Sequence, residues 1–292
     1  MRIAFLGFGE AARAFHDSLA LKLEQGEFRA YDRLLDDPAT GAEMQSAMTS
    51  RDIAVAVSAA ELADADWIFS AVTADQSLIA ARSILPYLGQ GALLIDINSV
   101  SPARKRETAT LVGETGADYL DMAVMAPVHP GGHATPVLLA GKNAEALLER
   151  FLALGFAADF VSEAPGSATA IKMVRSVFVK GLEAITVEAL LAAEASGCFE
   201  EILTSLSESF PGLEWSTFPD YQFERTTRHG RRRAAEMRES GATLDALGLN
   251  GGLCREIAAV QDAMAAAGAS SRQELRDVVP RVLAARHAAR SS

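Results

Sequence analysis

Residues 2–12 read RIAFLGFGEAA, and this stretch decides the fold of the first half of the chain. The apolar run 3–6 lacks the alternation of a half-buried strand, which is typical of a parallel strand covered on both faces. Gly7, Gly9 and Ala12 then form the pattern GxGxxA, directly before a predicted helix. In such a turn the first glycine permits the bend, the second lets the backbone approach a pyrophosphate, and the small third residue lets helix and strand pack.

The residues around this turn predict a dinucleotide site. The start of the helix offers N–H groups and a positive dipole end to phosphates. Asp32 ends the next predicted strand, twenty residues after Ala12, where a carboxylate accepts hydrogen bonds from the ribose and favours NAD. Arg33 follows it and could stack on the adenine or pair with a 2′-phosphate, which leaves NADP open. The predicted cofactor contacts are Gly7, Phe8, Gly9, Glu10, Ala11, Asp32, Arg33, Val72, Thr73 and Asn98.

Short apolar runs alternate with helical stretches up to about residue 162, which predicts βαβ units in a parallel, doubly wound, Rossmann-type α/β sheet. The predicted strands are 2–6, 28–31, 67–72, 92–97, 119–124, 136–140 and 157–161. The predicted helices between them include 11–22, 76–88, 102–115 and 144–154.

The second half of the chain has a different pattern. From Gly166, some 30 residues run without proline and with apolar residues at helical spacing, which predicts one long helix that ends near Gly197. Such a helix is about 45 Å long. Because the remainder shows no convincing strand, we expect a nucleotide-binding domain at 1–162 and an all-α substrate and dimerisation domain at 163–292, joined by this helix.

Composition excludes several classes of protein. The chain has 292 residues, with 27 Lys and Arg against 38 Asp and Glu, so its net charge is −11. This acidity argues against bulk binding of nucleic acid, which needs a basic face. No apolar run approaches the roughly 18 residues of a membrane span, and the first run is too short for a secretory signal. Cys198 and Cys254 are too few for a disulfide framework or a zinc site, so we expect no metal and a cytoplasmic location.

Two further motifs follow predicted strands, at the edge where a doubly wound sheet binds its ligand. They are DINSVSP at 96–102 and GSATAIK at 166–172. With GxGxxA, they resemble the β-hydroxyacid dehydrogenase family, which includes 3-hydroxyisobutyrate and 6-phosphogluconate dehydrogenases. The resemblance covers about residues 1–195, and HGRRRAAEMRE at 229–239 looks like the helical C-terminal domain of a less characterised branch. It implies an NAD(P)-dependent oxidoreductase acting on the CH–OH group of a small anionic hydroxy acid, and a homodimer.

Carried over by position, Lys172 matches the catalytic lysine of the family. Asn98 and Ser99 match the pair that binds substrate and borders the nicotinamide. Two positions of the lysine motif depart from the family, because Ala168 replaces a glycine and Ser176 stands where the family has asparagine. The implied substrate pocket is therefore altered.

The third motif of the family, D-x-P-V-S-G-G, admits two alignments here. Without a gap it begins at Asp121 and places Met125 where the family has a substrate-binding serine. With a gap, the stretch 126–129 matches instead, and Gly131 and Gly132 supply the paired glycines. We prefer the ungapped alignment because it keeps the spacing to Gly141.

Lys172 also has a chemical rationale of its own. A lysine in a poorly hydrated site beside a cationic nicotinamide has its pKa lowered towards neutrality. It can then act as a general base in oxidation and as a general acid in reduction. The alternative is a lysine that extends from an amphipathic helix into solvent.

Several other residues are candidate substrate contacts. Lys172, Ser176 and Lys180 share one helix face at i, i+4 and i+8. In the basic run 225–233, guanidinium groups could clamp an anionic substrate; alternatively the run is a solvated face paired with Glu236 and Glu239, or a subunit contact. The predicted substrate contacts are Asn98, Ser99, Met125, His129, Ser176, Lys180, His229 and Arg232.

Two other functions remain open. Imine reductases are relatives in which Asp or Tyr replaces the lysine, so Lys172 argues against that activity. A cofactor-binding sensor or assembly protein without turnover is the second alternative, and the departures at Met125, Ala168 and Ser176 keep it open.

Overall fold

An eight-stranded sheet forms the centre of the first half of the chain in this computed structural model, which describes residues 1–23, 25–268 and 274–291. The chain divides into two compact units, Met1–Lys172 (unit 1) and Met173–Ser292 (unit 2). The strands of unit 1 are β1 (Arg2–Leu6), β2 (Glu27–Tyr31), β3 (Ala54–Val55), β4 (Trp67–Ser70), β5 (Leu93–Asp96), β6 (Asp118–Val124), β7 (Val137–Ala140) and β8 (Ala158–Ser162).

The strand order is β3-β2-β1-β4-β5-β6-β7-β8, which confirms the doubly wound sheet. The expectation of a wholly parallel sheet is wrong for one pair, because β6 and β7 are antiparallel. Parallel neighbours need a long crossover, usually a helix. The connection 125–136 contains only a short 3-10 turn at Gly132–Ala134, so β7 can only return beside β6 in the opposite direction.

Helices cover the sheet of unit 1 and make up unit 2. They are α1 (Glu10–Leu19), α2 (Gly41–Thr49), α3 (Ser77–Ile84), α4 (Pro102–Glu114), α5 (Ala144–Ala153), α6 (Ser167–Ala195), α7 (Phe199–Ser209), α8 (Phe218–Ala246), α9 (Gly252–Ala266) and α10 (Leu275–Ser291). The predicted long helix is α6, and the boundary between the units falls within it. Strand β3 and helix α2 were not among the predicted elements.

The continuous apolar character of β1 has the predicted cause. Ile3 and Phe5 pack into a core on one face of the sheet, whereas Ala4 and Leu6 pack into a second core on the other face. The ring of Phe5 stacks on that of Phe69 in β4, with centroids 5.6 Å apart. Both faces of the central strands are therefore buried, as in other sheets with helices on each side.

The described part of unit 2 contains helices and no strand. Two of them, α8 and α9, approach closely at Gly230, where a Cβ would lie 2.3 Å from the carbonyl oxygen of Gln261. Any side chain at this position would push the two helices apart. Among the described helices, none combines the length and the apolarity that a membrane span requires.

Candidate functional site

The predicted motifs of unit 1 lie at one edge of its sheet. Leu6, Ser70 and Asp96 are register partners in the parallel strands β1, β4 and β5. The segments that follow them therefore leave the sheet together at its carboxyl edge, where doubly wound sheets bind ligands. The candidate residues at this edge are Gly7, Phe8 and Gly9 after β1, Val72 and Thr73 after β4, and Asn98 and Ser99 after β5.

The turn between β1 and α1 requires glycine at its first position and leaves space at its second. Gly7 has φ +90°, and a Cβ there would lie 2.5 Å from the Cγ1 of Val72 and 2.6 Å from the carbonyl oxygen of Ala71. A Cβ at Gly9 would point into open space, with no described atom within 4 Å. A phosphate can therefore approach the backbone at Gly9 and the N–H groups of the first turn of α1.

Asp32 links this turn to the end of β2. Its Oδ2 accepts a hydrogen bond from the backbone N–H of Phe8 at 2.8 Å, and its Oδ1 accepts one from the N–H of Leu34 at 3.0 Å. The side chain of Phe8 is buried in the core, so Phe8 can meet a ligand only through its backbone. Arg33 is exposed and donates to the side-chain oxygen of Gln76, in the segment after β4.

These residues fit a dinucleotide. No side chain caps the start of α1 among the described residues, so its first N–H groups can bind phosphate oxygens. Gly9, Glu10 and Ala11 would contribute these backbone groups, and the fully buried Ala12 lets α1 pack closely on β1. Asp32 lies beside the same turn, where its carboxylate would accept hydrogen bonds from a ribose.

Asn98 ties the end of β5 to the end of β4. Its Oδ1 accepts a hydrogen bond from the backbone N–H of Val72 at 2.7 Å, and its Nδ2 donates to the hydroxyl of Ser70 at 2.9 Å. Asn98 is buried, whereas Thr73, in the segment that it braces, is exposed. The amide therefore fixes the geometry of the carboxyl edge, and Asn98 exposes little surface to a ligand.

Ser99 and Lys172 meet at this edge. The Nζ of Lys172 donates a hydrogen bond to the Oγ of Ser99 at 2.7 Å, although the two residues are 73 positions apart. Both side chains are partly buried. The structure thus brings the last residue of the predicted lysine motif onto the turn that follows β5.

Asp121 of β6 holds the start of α6, and thereby Lys172, in place. Its Oδ2 accepts hydrogen bonds from the backbone N–H groups of Gly166 at 3.0 Å and Thr169 at 3.1 Å. Its Oδ1 accepts one from the hydroxyl of Thr169 at 2.7 Å. A carboxylate at a helix start satisfies N–H groups that have no partner within the helix. Lys172 follows one turn later.

A buried charged cluster, which was not among the predicted site residues, joins α4 to the neighbouring strands β5 and β6. The Nζ of Lys105, on α4, lies 2.9 Å from the Oδ1 of Asp96 and 3.4 Å from the Oδ1 of Asp121, and all three side chains are fully buried. Tyr119 donates to the Oδ2 of Asp96 at 2.8 Å. Burial and the negative charges of Asp96 and Asp121 raise the pKa of Tyr119 well above its ordinary value.

Two departures from the family pattern contact the same small apolar cluster. Ala168, in the first turn of α6, is fully buried beside Ala123 and Ala140, and Met125 packs against this group. A methionine where the family has serine and an alanine where it has glycine thus fill neighbouring volumes with apolar groups. The backbone N–H of Met125 donates to Pro136 O at 2.9 Å.

The two histidines after β6 have different surroundings. His129 is exposed. His133 is buried, with its Nδ1 2.7 Å from the Ser18 hydroxyl oxygen and its Nε2 3.0 Å from the Leu154 carbonyl oxygen. Burial is the main reason that the pKa of His133 is lowered. His133 thus braces the loop against α1 and the segment after α5.

In unit 2, Ser176 and Lys180 belong to a buried polar network. The Nζ of Lys180 donates to Ser176 Oγ at 2.9 Å and lies 2.8 Å from the Oε2 of Glu236 on α8. Burial lowers the pKa of Lys180, and the charge of Glu236 opposes that shift. The Oε1 of Glu236 accepts a hydrogen bond from Arg232 at 3.2 Å. This ion pair agrees with the alternative in which the basic run 225–233 pairs with acidic neighbours.

The rest of the basic run divides between surface and core. Burial lowers the pKa of His229, and the neighbouring Arg225, Arg232 and Arg228 lower it further. Arg233 is buried and forms a bidentate ion pair with Glu183 of α6, with Nε 2.8 Å from Oε2. In the described ranges, no group of three or more His, Cys, Asp or Glu side chains could hold a metal ion.

The chain belongs to a known family of dehydrogenase domains. Residues 2–151, half of the chain, match the NAD binding domain of 6-phosphogluconate dehydrogenase, and residues 193–264 match a domain of unknown function. A conserved hypothetical protein from Sinorhizobium meliloti, of known crystal structure, is 36% identical, with 98% of this chain and 96% of that chain covered and a TM-score of 0.76. The family resemblance is therefore confirmed, and the family indicates a nicotinamide cofactor.

Two enzymes share the fold at lower identity. One is the 3-hydroxyisobutyrate dehydrogenase of Mycobacterium tuberculosis, solved with L-serine, which is 20% identical, with 99% of each chain covered and a TM-score of 0.72. The other is an imine reductase of Streptomyces aurantiacus, also 20% identical, with 97% of this chain and 99% of that chain covered and a TM-score of 0.57. The chain thus has the fold of hydroxyacid dehydrogenases and related reductases.

Proposed function

We propose that the protein is an NAD(P)-dependent dehydrogenase that interconverts a small anionic hydroxy acid and the corresponding carbonyl compound. The observation that carries the proposal is the 2.7 Å hydrogen bond between Lys172 Nζ and Ser99 Oγ at the carboxyl edge of the sheet. A lysine amine and a hydroxyl at one point can exchange a proton with a substrate oxygen and orient that oxygen. Lys172 is then the general acid and base, and Ser99 a substrate contact.

When bound, the nicotinamide supplies hydride chemistry. In the oxidation, Lys172 takes the hydroxyl proton of the substrate as the carbonyl forms, and in the reduction it returns a proton to that oxygen. Asp121 and the first turn of α6 hold Lys172 against Ser99, so little reorganisation is needed for the transfer.

We propose NAD as the preferred cofactor, because Asp32 is a hydrogen-bond acceptor beside the glycine turn and its charge opposes a 2′-phosphate. NADP is the alternative, with Arg33 as the phosphate contact. Fluorescence titrations with NADH and NADPH test this choice. Tighter binding of NADPH that disappears in Arg33→Ala would reverse the assignment.

The proposal also includes the remaining predicted substrate contacts. These are Asn98, Met125, His129, Ser176, Lys180, His229 and Arg232. Conservative variants of each that raise KM without changing the cofactor Kd would support a role in substrate binding. Variants that change only stability would give the residue a structural role instead.

Lys172→Met tests the proposed acid and base, with Lys142→Met as the matched control. Lys142 is an exposed lysine after β7, and because β7 runs antiparallel to β6 it lies at the opposite edge of the sheet. The assay is a panel of small hydroxy acids with NAD and NADP. We expect Lys172→Met to lower kcat at least about 100-fold while its NADH titration matches that of the unmodified protein, and Lys142→Met to keep full turnover.

Three results would overturn the proposal in different ways. Full turnover in Lys172→Met removes the assigned base. Turnover only when an amine is added to a carbonyl substrate replaces the dehydrogenase by an imine reductase. Cofactor binding without turnover across the panel, with an amine present or absent, favours the sensor.

A further inference from the structure

The two peptide bonds that flank Phe8 in the glycine turn are held by side chains of opposite charge. Asp32 accepts a hydrogen bond from the backbone N–H of Phe8 at 2.8 Å. On the other side, the Nε of Arg13 donates a hydrogen bond to the carbonyl oxygen of Phe8 at 2.9 Å. Asp32 is one of the predicted cofactor contacts, whereas Arg13 was not among the predicted site residues. Arg13 therefore contacts the backbone of the turn without an assigned role.

Three contacts fix the guanidinium of Arg13 beside this turn. Arg13 lies in the first turn of α1, and helical side chains lean towards the N-terminus of their helix. Besides the hydrogen bond to Phe8, its Nη2 lies 3.7 Å from the Sδ of Met44 on α2, and its guanidinium carbon lies 5.7 Å from the centroid of the Phe8 ring. The side chains of Phe8 and Met44 are both buried. Core residues therefore fix the position of the guanidinium in the free protein.

The contact with Arg13 sets the direction of one N–H group. The Phe8–Gly9 peptide bond is trans, and in a planar trans peptide the C=O and N–H groups point in opposite directions. Because Arg13 holds the carbonyl oxygen of Phe8, the N–H of Gly9 points away from the guanidinium. Among the described residues, none accepts a hydrogen bond from this N–H, and a Cβ at Gly9 would meet no atom within 4 Å. The N–H of Gly9 is therefore open to a ligand.

We infer that Arg13 is a positioning residue of the dinucleotide site, which holds the Phe8–Gly9 peptide so that the N–H of Gly9 can donate to the pyrophosphate. The inference rests on the cofactor of the proposed function but not on its turnover. A peptide next to glycine can rotate when nothing holds it, because glycine has wide backbone freedom. With the carbonyl oxygen fixed, the N–H is oriented before binding, and the ligand does not have to order it. NAD and NADP share the pyrophosphate, so the binding of both should depend equally on Arg13.

Two substitutions of Arg13 separate its hydrogen bond from its charge. The Nε2 of glutamine is as many bonds from Cα as the Nε of arginine, so Arg13→Gln keeps the donor to Phe8 and removes the charge. Arg13→Met removes both. In fluorescence titrations with NADH and NADPH, we expect Arg13→Met to raise both Kd values about 5- to 10-fold. We expect Arg13→Gln to keep both Kd values within about 2-fold of the unmodified protein, because the hydrogen bond remains.

Arg82 provides the matched control, because it is an exposed arginine in the last turn of α3. Arg82→Met and Arg82→Gln should leave both Kd values unchanged. Circular dichroism checks that each variant is folded, and Arg13→Leu, which also lacks a donor, repeats the measurement with a second apolar side chain.

Three results would overturn the inference. Equal weakening by Arg13→Met and Arg13→Gln would assign the effect to the charge of Arg13. Unchanged Kd values in Arg13→Met would show that the turn keeps its geometry without the hydrogen bond, and an effect confined to NADPH would make Arg13 a contact of the 2′-phosphate. An unmodified protein that binds neither cofactor would contradict both this inference and the proposed function, whereas binding without turnover would contradict the proposed function alone.

Discussion

Both units bury ion pairs, but they connect them to different parts of the chain. In unit 1, Lys105 lies between Asp96 and Asp121, and these carboxylates accept further hydrogen bonds mainly from backbone N–H groups and hydroxyls. In unit 2, the Arg233–Glu183 pair joins side chain to side chain between α8 and α6. The first cluster fixes the path of the backbone at the site, and the second pair fixes how two helices align.

This difference predicts how replaceable the charges are. A buried side-chain pair can often be exchanged for apolar residues of similar size, because both charges leave together. A carboxylate that accepts hydrogen bonds from backbone N–H groups has no apolar substitute, because its removal leaves those N–H groups without acceptors. We therefore expect every apolar substitution in the charged cluster of unit 1 to be strongly destabilising. The Arg233–Glu183 pair of unit 2 should instead tolerate the replacement of both residues by apolar side chains of similar size.

The largest effect is expected for Lys105→Met. The substitution leaves Asp96 and Asp121 buried without their cation, which should lower the free energy of unfolding of unit 1 by about 3–5 kcal/mol. The chain has two tryptophans, so in a Trp215→Phe background the fluorescence of Trp67 in β4 reports unit 1 during guanidinium unfolding. Lys142→Met, which removes an exposed lysine, should change stability by less than about 0.5 kcal/mol. Equal effects of the two substitutions would mean that the cluster does not stabilise unit 1.

Arg233→Met should have the next largest effect. Glu183 then stays buried with a hydrogen bond at 3.0 Å from Gln261 of α9 as partial compensation, so we expect a loss of about 2–3 kcal/mol. Adding Glu183→Leu should restore most of that loss, which denaturant titration followed by helical circular dichroism can measure. A double variant as unstable as the single one would show that the two kinds of cluster do not differ.

The sequence predicts most of the strands and helices, but it does not predict the buried charged cluster of unit 1 or the buried ion pair of unit 2. The apolar runs and the glycine turn identify strands β1, β4 and β5, because burial on both faces leaves a continuous apolar pattern. By contrast, β3 has two residues, Ala54 and Val55, and so leaves almost no pattern. The reversal of β7 was readable only from the lack of a helical stretch before it.

The buried cluster shows why the site was harder to predict. Lys105 lies three residues after Pro102 and seven before Val112, and this spacing places it on the buried face of α4. The spacing alone therefore indicates a buried lysine. Its partners were not visible, because Asp96 and Asp121 come from two different strands. Asp121 holds Gly166, which is 45 positions away, and only the sheet order brings them together.

Asp121→Asn should have an intermediate effect on stability, and it tests directly whether a carboxylate that holds backbone N–H groups can be replaced. The amide keeps the size of the side chain, but its NH₂ group cannot accept from the N–H groups or the hydroxyl at the start of α6, so we expect a loss of about 1–3 kcal/mol. If Lys172 is the general acid and base, kcat should fall while the NADH titration is unchanged. Asp118→Asn, an exposed aspartate of the same strand, is the control. Loss of cofactor binding in Asp121→Asn would show a general disruption of unit 1 instead.

The smallest effect is expected for His133, a neutral buried group that contrasts with both charged clusters. Burial lowers its pKa below the ordinary 6.5, and the charge of Lys22 lowers it further. In acid the unfolded chain then binds more protons at this position than the folded chain, so the contribution of His133 is present above pH 6.5 and is lost as the pH falls through the lowered pKa. The stability of unit 1, followed by Trp67 fluorescence, should decline as the pH falls below 6.5.

His133→Gln should flatten this decline, since an amide can still donate to the Leu154 carbonyl but does not titrate. His129→Gln, at the exposed histidine of the same loop, should leave the slope unchanged. If the slope persists in His133→Gln, the decline belongs to carboxylates rather than to this imidazole.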